Sequence, residues 1–166
     1  MLKDALKILS ILIVGLIVAI FIYPFLHESG HIITAIFVGA DVVEFTLLPL
    51  PSVLCETAKV GGGGIVAISF GGIVFPLLIS LLVPRKWFFT WYLRALLQGI
   101  SVLALIVSCI SVLFVVNTQD DMHLVLRVWK ISKPLLLLIL SSNIVVVLSL
   151  IFLDGPWDRI CKFMGV

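Results

Sequence analysis

The sequence predicts an all-α polytopic membrane protein, with about four transmembrane helices, a short half-membrane helix and a small strand-like loop after the first helix. Two observations predict it. The 166 residues are 62% hydrophobic and 12% charged, against roughly 45–50% and 25% in soluble domains. The apolar residues also gather into four runs long enough to cross a hydrocarbon core about 30 Å thick, which takes about 20 helical residues. The same composition excludes a disordered chain. The formal net charge of +2 comes without the basic stripe that a nucleic-acid partner needs, so none is expected. The chain reads as one domain over residues 1–166, integral to a membrane and multi-pass, with the cell membrane as its expected location.

The first run starts at Ala5 and reaches about Phe25, and its apolar character continues with polar interruptions to Val38. Lys3 and Lys7 before Ile8–Tyr23 imitate a cleaved signal sequence. However, Pro24 and a polar cluster from His27 to His31 follow where a small-x-small cleavage site would stand, so the segment is expected to remain. From Asp41 to Lys59 the chain holds Pro49 and Pro51 and is no helix. Val42–Leu48 has the β-branched content of a short strand, and the stretch reads equally as a surface loop or as a strand pair folded back on the membrane domain. Gly61–Gly64 reads as a flexible lead into the second run, Ile65–Val83. A basic turn, Pro84-Arg85-Lys86, joins it to the third, Trp87–Val116. Between Asn117 and Lys133, Asp120 and Asp121 suit the positive end of a helix dipole. Leu124, Val125, Val128 and Ile131 mark an apolar face beyond them, which predicts a short helix partly in the interface. Pro134–Leu153 is the fourth run.

Smaller features have ordinary readings. Trp87, Trp91, Tyr92, Trp129 and Trp157 suit an interfacial aromatic belt. Arg94 is expected to snorkel, and Asn143, beside Ser141 and Ser142, to make an interhelical hydrogen bond. Cys55, Cys109 and Cys161 lack a disulfide or zinc spacing and read as packing residues.

One cluster departs from this pattern. Phe25-Leu26-His27-Glu28-Ser29-Gly30-His31 contains His-Glu-x-x-His. On a helix, residues i and i+4 share a face, so both imidazoles can reach one metal. Zinc takes such nitrogens at about 2.0–2.1 Å, and Glu28 is displaced enough to act as general base on a metal-activated water. A chain of this composition carries the pattern by chance on the order of once in a thousand. Ionisable groups inside a membrane span are costly and functional by default. Zinc needs a third protein ligand. The longer His-x-x-Gly-x-x-His form is excluded, because Thr34 and Phe37 stand at the two positions. Asp41, Glu44, Glu56, Asp120, Asp121 and His123 remain as candidates.

Here the chain resembles the site-2 protease family of intramembrane zinc metalloproteases and its shorter relatives. The likeness begins with His27-Glu28-Ser29-Gly30-His31 and continues through Ala35 and Gly39-Ala40-Asp41-Val42. It resumes at Phe70-Gly71-Gly72-Ile73-Val74-Phe75-Pro76, similar to the family's small-Gly-Pro segment. It ends at Asp121-Met122-His123-Leu124-Val125-Leu126-Arg127, where family members have an Asp followed by a Gly pair and a Leu-Arg ending. That register favours Asp121 over Asp120 as third ligand. Gly72 stands where the family has Pro, Pro76 where it has Asn, and Met122-His123 where it has the Gly pair.

The resemblance implies a zinc metalloendopeptidase, with Zn2+ on His27, His31 and Asp121 and with Glu28 as base. It implies cleavage of peptide bonds in or near transmembrane segments of other membrane proteins. Substrate would be held extended by β-augmentation along Val42–Val60. A homo-oligomer or a regulatory membrane partner is compatible with this. The altered positions motivate a second reading, a non-catalytic metal-binding or scaffold subunit. A third is a membrane-anchored protease for soluble or lipidated peptides with Glu56 as ligand. Lys3, Lys7, Arg85, Lys86, Arg159 and Lys162 share the side of both termini, which favours cytoplasmic termini. The family places its motif nearer the cytosol, which favours the reverse, so both orientations stand.

Overall fold

The computed structural model describes residues 2–47, 49, 51–114 and 121–165. Helix α1 (Leu2–Ile17) passes through one wide π-helical turn, Val18–Ile22, into α2 (Tyr23–Val38). Strands β1 (Asp41–Thr46) and β2 (Ser52–Glu56) follow, then α3 (Gly62–Leu82), α4 (Phe88–Phe114), α5 (Asp121–Trp129), α6 (Lys133–Leu153) and α7 (Pro156–Met164). Among the described residues, four helical segments are long and apolar enough to span a membrane: Leu2–Val38, Gly62–Leu82, Phe88–Phe114 and Lys133–Leu153. The predicted architecture therefore stands, within a few residues at each boundary.

The wide turn has a local cause. Pro24 has no N–H, and its ring crowds the carbonyl four residues back, at Ile20. In hydrocarbon a freed carbonyl is costly, and local π geometry is one way to absorb the mismatch. Tyr23 N–H accordingly bonds Val18 O, five residues back. At its far end α2 stops at Gly39, whose φ of 78° is left-handed and suits glycine.

Lipid is as apolar as leucine, so close approach and polar contacts must hold these helices together. Helices α2 and α3 meet backbone to backbone, where a Cβ on Gly30 would run into the Gly71 carbonyl and one on Gly71 would stand 2.5 Å from Thr34 Oγ1. The largest buried apolar cluster joins α3, α4, α5 and α6 through Val66, Leu105, Met122, Val125, Leu136 and Leu140. A second, around Val18, Tyr23 and Leu97, fixes the wide turn against α4.

Of the two readings of the loop after α2, the strand pair holds: it is antiparallel from Asp41↔Glu56 to Thr46↔Ser52, with a bulge between Val42 and Glu44. Cys55 packs it against Ala35, Ala40 and Ile68. Other expectations change. Gly62–Gly64 are the first turn of α3 rather than a flexible lead, because Gly64 closes on Val60 and Val38 with no room for a side chain. Helix α5 ends at Trp129, before left-handed Lys130.

Arg94 does not snorkel. It is buried, with Nε 2.8 Å from Asp154 Oδ2 and Nη1 donating to the Ser80 and Leu81 carbonyls. Arg85 reaches the other Asp154 oxygen at 2.8 Å. A buried carboxylate with two guanidiniums thus ties α3, α4 and α6 together. Trp91 is also buried, whereas Trp87, Trp129 and Trp157 are exposed as a belt requires. Asn143 Nδ2 donates to Ile139 O of its own helix, since the side chain faces outward. Helix α7 was not anticipated, because Asp158, Arg159 and Lys162 broke the apolar pattern. The three cysteines are free and half-buried.

Candidate metal centre

Helical spacing brings His27, Glu28 and His31 together. Their nearest ligand atoms all lie within 4.8 Å of one another. Gly72, which packs against both imidazoles, is the middle residue of the 21 in α3. His31 is buried, and its Nδ1 lies 2.8 Å from the Ile68 carbonyl oxygen. Only a protonated Nδ1 can donate there, so Nε2 is left with its lone pair facing the site. His27 Nε2 lies 3.2 Å from His31 Nε2. Asp121, the first residue of α5, brings Oδ2 to 3.4 Å from His31 Nε2.

These distances fit zinc. Four ligand atoms at about 2.0–2.2 Å around a tetrahedral ion lie about 3.3–3.6 Å apart. The two separations, 3.2 and 3.4 Å, are close to that edge, and two imidazoles with a carboxylate are a donor set zinc accepts.

Gly72 makes the room. A Cβ there would stand 2.5 Å from His31 Nε2, 2.6 Å from His27 Cε1 and 2.8 Å from His27 Nε2. The Gly72 carbonyl faces the His27 ring. Pro76 lies inside α3 at the position that would normally donate to that carbonyl, and it has no N–H.

The centre opens into a pocket of about 370 Å³ walled by Glu28, Val53, Leu54, Cys55, Ser69 and Leu124. Strand β2 supplies one wall, and the Val53 amide points at the Glu28 carboxylate. Burial pushes the Cys55 thiol up, and the Glu28 charge adds to this. Beyond Leu26 and Pro51 lies an apolar pocket of about 450 Å³, lined by Ile20, Phe21, Phe25 and Leu47.

Of the sequence-derived ligand candidates, Asp121 joins the histidines. Asp41 instead pairs with Lys59 at 3.0 Å, Glu44 and Glu56 are exposed on the hairpin, and none of the three lines the pocket. His123 is half-buried on α5 and does not line it either. Asp120 lies outside the described residues. Sequence reasoning missed the Ile68 carbonyl, which carries no side-chain signal. It also read Gly72 only as a departure from the family pattern, although a glycine pair inside an apolar helix signals close approach.

In comparisons with known proteins, no family model, curated protein or solved structure matches this chain.

Proposed function

We propose that this chain is an intramembrane zinc metalloendopeptidase acting on transmembrane segments of other membrane proteins. The observation that carries the reading is that His31 Nε2 stands 3.2 Å from His27 Nε2 and 3.4 Å from Asp121 Oδ2, close to the edge of a zinc tetrahedron, with Glu28 alongside and the cluster packed on Gly72 at the middle of a membrane-length helix. A zinc ion on those three residues would supply a Lewis acid and an acidified water.

The chain's own groups do the rest. The Glu28 carboxylate takes the proton from the attacking water and passes it to the leaving amide nitrogen as the C–N bond breaks. Hydrogen bonding to Ile68 holds His31 in one tautomer and one orientation. A substrate helix satisfies its own amides, so it must unwind before its carbonyl can be attacked. Strand β2, along the pocket, offers an edge for the unwound segment, as β-augmentation requires.

The test uses single-span helical substrates co-reconstituted in proteoliposomes. Wild type is expected to yield cleavage inside or next to the span, and Glu28→Gln to yield none while retaining zinc. If Glu28→Gln supports the same cleavage, the assignment fails. The absence of an amide side chain at Pro76 favours one other reading, a non-catalytic metal-binding scaffold. On that reading Glu28→Gln keeps the biological function.

A further inference from the structure

At the end of the bundle that holds the N-terminus, α7 folds back beside the α3–α4 turn. Between them is a pocket of about 230 Å³ lined by Lys86, Phe88, Arg159, Lys162 and Phe163. The pocket is fixed from three parts of the chain. Phe163 stacks on Phe88 with ring centroids 3.8 Å apart. Lys7 Nζ donates to the Phe163 and Met164 carbonyls at 2.9 and 3.3 Å. Arg159 donates to the backbone carbonyls of Asp154 and Arg85 at 3.1 and 2.8 Å.

Among the described residues, no carboxylate compensates the charge in this pocket. The Asp154 carboxylate is taken by Arg85 and Arg94. Among the described residues, no carboxylate lies within ion-pair distance of Lys86, Arg159 or Lys162, and Asp158 on the same helix pairs with none of them. Three cations held around one cavity repel one another unless an anion enters. Trp87 and Trp157, next in sequence to Lys86 and Asp158, are 67% and 75% exposed, as aromatic residues at a membrane–water interface are.

The geometry points to a binding site for the phosphate of an anionic membrane lipid, held by Lys86, Arg159 and Lys162, with the glycerol end against Phe88 and Phe163. Basic pockets at the ends of membrane helices recognise anionic headgroups in this way. A free phosphate shares the charge chemistry, but it has no use for the aromatic wall.

Native mass spectrometry of the detergent-purified chain tests the site with phosphatidylglycerol and phosphatidylcholine as probes. Wild type is expected to retain phosphatidylglycerol in preference. Each of Lys86→Gln and Lys162→Gln is expected to weaken that retention about five-fold, and the pair about 25-fold. Lys59→Gln, an equal charge loss on the hairpin, is expected to leave it unchanged. Equal retention of the two lipids, or an undiminished preference in the double variant, would overturn the proposal. Displacement of phosphatidylglycerol by inorganic phosphate at matched concentration would overturn the lipid assignment.

Discussion

Asp121 Oδ2 lies 3.4 Å from His31 Nε2, although the two residues stand on helices far apart in the chain. The contact exists because α5 packs Met122 and Val125 into the core shared with α3 and α6, which leaves the first residue of the helix facing α2. If Asp121 is a ligand, Asp121→Ala should cut bound zinc to below about a tenth per chain. Helicity by circular dichroism should be unchanged. Zinc content at the wild-type level in the variant would remove Asp121 from the ligand set.

Gly72 offers a sharper probe, because it supplies no ligand. Its added Cβ in Gly72→Ala would strike the two imidazoles. The histidine side chains would have to leave their positions, and zinc affinity should fall at least about 10-fold, in the range of lost supporting contacts. Gly99→Ala, on a helix with nothing within 4 Å of the new Cβ, should leave affinity unchanged. Isothermal titration with chelator-stripped protein reads both.

Pro76 separates stability from metal binding. Pro76→Ala returns an N–H to the Gly72 carbonyl and removes a helix-interior proline, a defect of about 3 kcal/mol in a regular helix. Thermal stability should rise. Zinc affinity should fall, because the carbonyl facing His27 gains a competing donor. A rise or a fall in both together would contradict this account of the residue.

The buried Arg94–Asp154 pair holds three helix ends together. Asp154→Ala would leave Arg94 charged and buried without its carboxylate. Removing one member of such a pair costs about 3–5 kcal/mol, so a loss of that order is expected in denaturation from mixed micelles.

Strand β2, rather than β1, walls the pocket. Val53→Pro removes the amide directed at Glu28 and should suppress cleavage while zinc stays bound. Val43→Pro falls in the bulge of β1, away from the site, and should be tolerated. Equal activity in both would remove β-augmentation from the mechanism.

The parts legible in the sequence were those written in side-chain periodicity. Apolar runs of membrane length and histidines one helical turn apart needed no tertiary information. The position of Asp121 beside His31 was legible through the register of the resemblance and not through chemistry, since six candidate ligands looked alike on paper. What stayed hidden depended on partners distant in sequence. Arg94 looked like a snorkelling residue because Asp154 lies 60 positions away. Trp91 looked interfacial because nothing local shows that its ring is covered. Helix α7 alternates charge and aromatics over nine residues, too short and too polar for a span, and it acquires its place only against Phe88 and Lys7.

The central claim is that this is a zinc centre. Elemental mass spectrometry of the detergent-purified chain, with and without His31→Ala, tests it most directly. The account predicts about one zinc per wild-type chain and a loss of nearly all of it in the variant. Wild-type protein that holds no zinc even after supplementation, or a variant that keeps it, would contradict the account.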